Sequence, residues 1–228
     1  MYQSRTVESN QNGVHENLKA QVEKHLTKPF KKPVAEHTQQ AFSLFEKTYS
    51  SCGRDHLILD ACCGVGDSSR KIARMFPDHF VVGVDRSESR LSRQRGDESS
   101  MEALDNLLLL RADLMDFYRL LLDGGYRLDR HYLLYPNPYP KAAQIGKRWH
   151  GSPAFPSIVA LGGKLDVRSN WSIYIEEFAE ALSIVGLSAQ NSEYVPNEGD
   201  YWTMFEKKYH QSGQQLWQLT CDLVGERT

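Results

Sequence analysis

Apolar and polar positions along the chain change period several times, and each change marks an element. From Pro33, PVAEHTQQAFSLFEKTY sets Val34, His37, Thr38, Ala41, Phe42, Phe45 and Tyr49 on one helical face, with proline at its start. The pattern then shortens. HLILDA (56–61) reads as a buried strand and GDSSRKIARMF as the helix behind it; HFVVGVD (79–85) is a second strand, followed by RSESRLSRQRGDESSMEAL, polar and helical in part. LLLLRAD (107–113) is a third strand, LMDFYRLLLDGG a short helix ended by glycines, and LDRHYLLY (128–135) a fourth strand. PAFPSIVALGG reads as a further helix and KLDVRS (164–169) as a fifth strand. WSIYIEEFAEALSIV (171–185) is amphipathic, with Trp171, Tyr174, Ile175, Phe178 and Leu182 on one stripe that packs a helix on a sheet. TMFEKKYHQSGQQLWQLTCDL reads as two β-rich arms around HQSG, a hairpin. Strand and helix alternating five times before a hairpin predicts an α/β sheet, mostly parallel with an antiparallel edge.

The first 20 residues are polar and without period, which predicts a loose tail; 1–33 is expected as a polar and basic N-terminal tail and 34–228 as one domain. Over the 228 residues, 40% hydrophobic and 25% charged content are globular values. No window is long and apolar enough to span a bilayer, and the N-terminus lacks an apolar signal core, so a cytoplasmic location without membrane attachment is expected. Cys52, Cys62, Cys63 and Cys221 show no metal-type spacing and read as reduced thiols; no metal is expected. The net charge of −2 gives no overall pull towards nucleic acid. Two clusters are locally basic. Lys24, Lys28, Lys31 and Lys32 read as solvated surface charge, and Lys141, Lys147, Arg148 and His150 as candidate phosphate contacts.

Candidate chemistry begins at LDACCGVGDSS. Asp60 stands at a strand end, Gly64 and Gly66 lie in the turn, and a helix N-terminus follows. A dinucleotide fingerprint needs a third glycine where Ser69 stands, which disfavours a pyrophosphate ligand. Asp85 closes the second strand 21 positions past Gly64, about the ~20-residue offset at which a carboxylate meets a ribose, and Asp113 closes the third. Three acids at successive strand ends face the crevice of an open α/β sheet and favour a nucleoside without phosphates, such as S-adenosylmethionine. The other reading of these acids is as helix N-caps.

YPNPYPK (135–141), directly after the fourth strand, cannot lie inside a helix or central strand and reads as a rigid exposed elbow. Together with GKRWH, GGKLDVRSNWSIYIEEFAEAL, NSEYVP and TMFEKKYHQSGQQLWQL, it resembles the bacterial tRNA (guanine-N7)-methyltransferases over roughly residues 56–224. Those enzymes carry an elbow F-P-D-P-W-x-K, a K-R-R, a G-G strand ending in T-D before a W-x-x-Y helix, and a late T-x-F-E. The resemblance implies a class I methyltransferase fold, Rossmann-like with a seven-stranded sheet, with S-adenosylmethionine as donor and tRNA as partner to a monomer or homodimer. It implies a donor site of Asp60, Cys62, Gly64, Gly66, Asp85, Arg86, Asp113 and Leu114. On the acceptor side it implies Tyr135, Asn137, Tyr139, Lys141, Lys147, Arg148, Asn170, Thr203, Phe205 and Glu206, with Asn137 at the reacting base. The chain departs from the pattern where the elbow aspartate is Asn137, the T-D pair is Ser169–Asn170 and the third basic residue is Trp149; Lys208 and Tyr209 replace an arginine and a glycine.

Methyl transfer to guanine N7 needs no strong base, because N7 is itself a lone-pair nucleophile and alignment is the main requirement. A carboxylate in the elbow would accept from guanine N1–H and its amino group, whereas an amide accepts once and presents an NH₂ to the second donor. Such a mispairing costs on the order of 1–3 kcal/mol. The order N-P-Y-P also resembles the N-P-P-Y of amino-methyltransferases, with the aromatic one residue early. A different base position, an exocyclic amine or a small molecule is therefore the alternative acceptor, and a silent tRNA- or cofactor-binding paralogue the third reading. Asn137 as a plain turn former between prolines is the fourth.

Overall fold

The computed structural model describes residues 4–93 and 104–223. In chain order the elements are α1 (Leu18–Thr27), α2 (Glu36–Ser51), β1 (His56–Ala61), α3 (Asp67–Met75), β2 (His79–Asp85) and α4 (Glu88–Leu91). They continue with β3 (Leu107–Arg111), α5 (Leu114–Asp123), β4 (Arg130–Leu134), α6 (Phe155–Leu161), β5 (Lys164–Ser169), α7 (Ser172–Ile184), β6 (Gln190–Tyr194), α8 (Met204–Gln211) and β7 (Leu216–Asp222). Two 3₁₀ turns, Ala142–Lys147 and Trp149–Gly151, link β4 to α6. The expected helix across 86–104 is present as the four residues of α4, and positions 94–103 lie outside the described residues.

The seven strands order as β3-β2-β1-β4-β5-β7-β6, with β7 antiparallel to both its neighbours and the other pairs parallel. The order reverses between β1 and β4, which opens a crevice at the strands' C-terminal ends. β1 and β2 are apolar on both faces because helices cover both. The larger core unites Phe42, Phe45, Phe117, Phe155 and Phe178 under α2, α5, α6 and α7, and a smaller one packs Ile58, Ile72, Val81 and Tyr132 on the other face.

Two expectations are corrected. TMFEKKYHQ is the helix α8, not a strand arm; Thr203 accepts from the Glu206 N–H and starts it as an N-cap. The hairpin that completes the sheet takes its first strand from Gln190–Tyr194 instead. The segment expected to be a loose tail contains α1, which buries Leu18 and Val22, one turn apart, in the larger core. No helix among the described residues is long and apolar enough to cross a membrane.

Candidate active site

The β1–α3 turn carries the residues expected on the donor side. Cys62, Gly64 and Gly66 take φ of 62°, 62° and 83°. A Cβ on Gly66 would press to 2.7 Å from Leu109 Cδ1, whereas one on Gly64 would meet nothing within 4 Å. The turn is therefore tight on its sheet side at Gly66 and faces open space at Gly64, where a ligand can approach the backbone. Asp85 ties β2 to this turn: its Oδ2 accepts from Gly64 N–H at 3.0 Å and its Oδ1 from Ser87 N–H at 2.8 Å. Asp60 is buried, and both Ser68 Oγ and Ser69 Oγ donate to its Oδ2 at 2.6 Å. Its Oδ1 is buried with no hydrogen-bond partner.

Burial pushes the Asp60 carboxyl up to about 6, against the pull of the two serine hydroxyls. The same burial, with the nearby Asp85 and Asp60, pushes the Cys62 thiol up to about 12, so that it stays protonated and unreactive. Asp113 caps α5 by accepting from Met115 N–H at 2.9 Å, while its own N–H bonds Thr38 Oγ1. It thus does what the N-cap reading described, from a half-buried position at the strand end. Leu114 is buried and Arg86 exposed. The serines that hold Asp60 escaped the sequence reading. Ser69 explains both the missing third glycine and Gly83, since a Cβ there would lie 2.3 Å from Ser69 Oγ.

The elbow builds the other side. Tyr135 and Tyr139 flank it at φ 51° and 45°, a left-handed backbone that L-residues rarely adopt. Tyr135 is held there because its ring is buried and its hydroxyl donates to Glu206 Oε2 at 3.1 Å. Glu206, wholly buried, pairs with Arg168 Nη1 at 3.1 Å and accepts from Trp202 N–H. Arg168 lies between the Tyr194 and Trp202 rings, 4.2 and 4.4 Å from their centroids. The T-x-F-E segment therefore braces the root of the elbow. Phe205 stands exposed beside Tyr209. Asn137 is exposed at the elbow tip, its Oδ1 accepting from Tyr139 N–H at 3.2 Å. Lys141 and Lys147 are exposed, with Lys147 Nζ 5.8 Å over the Tyr139 ring.

The expected basic pair is split. Arg148 is wholly buried and cannot meet a phosphate at the surface, which corrects its expected role. Its guanidinium donates to the Tyr139 and Lys141 carbonyls, to Gln11 Oε1 and to Glu177 Oε2. His150, also buried and kept neutral by that burial, shares Glu177 Oε2 at 2.9 Å. Burial alone would raise the Glu177 carboxyl; its bonds to His150, Arg148 and Gln11 overcome that and hold it at about 2. One sequence signal pointed here: Glu177 falls on the buried stripe of α7 between Tyr174 and Phe178, where a carboxylate must be paired.

The N-terminal segment crosses the same end of the sheet. Gln214 accepts from Asn170 Nδ2 at 2.9 Å and donates to the Ser4 and Arg5 carbonyls. Ser9 Oγ donates to the Pro140 carbonyl and Asn10 Oδ1 accepts from Ala142 N–H. Residues 4–11 thus strap the β5–β7 end to the elbow.

A reversed-order seven-stranded sheet with an acid-lined glycine turn on one side of its crevice and a rigid elbow on the other defines a class I methyltransferase. Comparisons agree. The family model described as "Putative methyltransferase" matches residues 54–219, and the chain belongs to that family. It is similar to the tRNA (guanine-N(7)-)-methyltransferase of Zymomonas mobilis, 29% identical over 167 residues that cover 68% of this chain and 69% of the relative. The enzyme of the same name from Anaeromyxobacter dehalogenans is 26% identical over 72% of this chain and 83% of its own. Among solved structures, the 16S rRNA methyltransferase KamB superposes with a TM-score of 0.58 at 20% identity, over 84% of this chain and 94% of its own. A 16S rRNA (adenine(1408)-N(1))-methyltransferase variant from Catenulisporales acidiphilia, solved with its cosubstrate SAM, gives 0.54 at 14%, over 82% of this chain and 92% of its own.

Proposed function

We propose that the protein methylates N7 of a guanine in tRNA, with S-adenosylmethionine as donor. The observation that carries the donor assignment is the unpartnered buried Oδ1 of Asp60 beside the open turn at Gly64, a place for an ammonium group of the donor's methionine part. In this reading Asp85 would accept from ribose hydroxyls and Asp113 from an adenine amino group at the next strand end. The bound donor supplies an electrophilic methyl group on a sulfonium. The chain's residues position the base: no general base is needed, since the N7 lone pair forms the new bond while the carbon–sulfur pair returns to sulfur.

The acceptor assignment rests on the relatives' activity and on the elbow, with Asn137 at its tip and Lys141 and Lys147 exposed beside it for phosphates. Tyr139 offers a ring for stacking. The Asn137 oxygen closes the elbow turn whichever base is held, so the relatives' activity is what favours N7 over an exocyclic amine. Protein incubated with unmodified tRNA and methyl-labelled donor, followed by digestion to nucleosides, tests the reading. Labelled 7-methylguanosine is expected; label in another nucleoside, or none in RNA, would overturn it.

A further inference from the structure

At the opposite end of the sheet from the crevice, three strand starts bring two imidazoles and a carboxylate together. His56 opens β1 and His79 opens β2 as its register partner, while Asp129 immediately precedes β4 on the other side of β1. One ligand atom from each lies within 4.8 Å of the others. His56 Nδ1 sits 3.0 Å from Asp129 Oδ1, and the two imidazole rings are 5.0 Å apart. The remaining oxygen, Asp129 Oδ2, accepts from Leu57 N–H at 3.1 Å, which fixes the carboxylate's orientation. His79 Nδ1 is buried and has no hydrogen-bond partner. A buried ring nitrogen left unbonded is costly, and the His79 ring has one ligand nitrogen within reach of the His56–Asp129 pair, where a cation could be shared.

We propose that His56, His79 and Asp129 form a site for a divalent transition metal, zinc or a first-row congener. Two imidazoles and one carboxylate are a borderline-to-hard donor set that suits Zn²⁺, with water in the fourth position. Tetrahedral bonds of about 2.0–2.1 Å need only a modest inward turn of the side chains. The His56 side chain, 58% exposed, provides both the freedom to turn and the entry path. All three ligands stand on or beside strands of one rigid sheet, so the ion would pin the starts of β2, β1 and β4. The site is independent of the methyl acceptor.

Tag-free protein freed of metal with a chelator is titrated with Zn²⁺ by calorimetry and with Co²⁺ by visible absorption. One equivalent should bind, Co²⁺ should show the intense bands of tetrahedral coordination, and Zn²⁺ should raise the melting temperature. His56→Ala and His79→Ala should each weaken binding at least about tenfold and remove the bands. Unchanged affinity for S-adenosylmethionine in the variants shows that fold and crevice persist. Should His79→Ala not fold, the exposed His56→Ala carries the test alone. Absence of saturable binding, or binding equally tight in the folded variants, would mean a hydrogen-bonded cluster only and overturns the proposal.

Discussion

Asp60 is held in a position that costs stability, and the proposed function gives that position its use. Its carboxyl titrates near 6 in the fold, against 3.8 for an ordinary aspartate, because burial outweighs two serine bonds. Between those values the folded protein keeps a proton that the unfolded chain releases, so stability falls as pH rises from about 4 to about 6. A gap of about two pH units at about 1.36 kcal/mol each puts the loss near 3 kcal/mol. Asp60→Asn should therefore raise the melting temperature above pH 6 and flatten its fall across that window, while weakening S-adenosylmethionine binding at least tenfold. Melting curves at several pH values and a donor titration check both halves; unchanged donor affinity would remove Asp60 from the site. The acids at strand ends were legible in the sequence because each follows an apolar run. Ser68 and Ser69 were not, since a polar residue early in a helix reads equally well as solvent-facing. Of its sequence readings, Asn137 fulfils that of turn former: its oxygen closes the elbow turn.

The elbow, the N-terminal strap and α7 meet at one buried ion pair. Arg148 reaches two elbow carbonyls, Gln11 and Glu177, so three elements separated in sequence share one guanidinium. Removing one partner strands a buried charge, which costs about 3–5 kcal/mol. Arg148→Ala or Glu177→Gln should lower the urea midpoint accordingly, and Arg148→Met combined with Glu177→Leu should recover much of the loss. A single variant as stable as the wild type would contradict the pair's bracing role. The sign with pH is opposite to that of Asp60: Glu177 is held at about 2 against an ordinary 4.5, so its contribution is present above about 4.5 and lost as pH falls towards 2. KR in GKRWH looked like two surface cations because composition cannot show that one of them turns inward. The strap was illegible for the same reason: Ser4, Ser9, Asn10 and Gln11 find partners more than a hundred residues away. Only Leu18 and Val22, apolar residues one turn apart, announced that this segment packs.

The whole molecule is a sheet whose two ends carry different clusters of polar side chains. Strand positions and the mixed sheet followed from apolar runs and breakers, and α8 was misread because its aromatic residues suit a strand as well as a helix. Thr203 and Glu206, three apart, were the capping signal that decides it. At one end the reversal of strand order opens a crevice beside the strand ends that carry Asp60, Asp85 and Asp113; at the other, His56, His79 and Asp129 converge. The account stands on the first end being the donor site. The most direct test is calorimetric titration of S-adenosylmethionine into wild-type protein and into Asp85→Ala, with circular dichroism showing both folded. Saturable one-to-one binding to the wild type and its loss in Asp85→Ala is the predicted result; equal affinity in the two proteins would contradict the site.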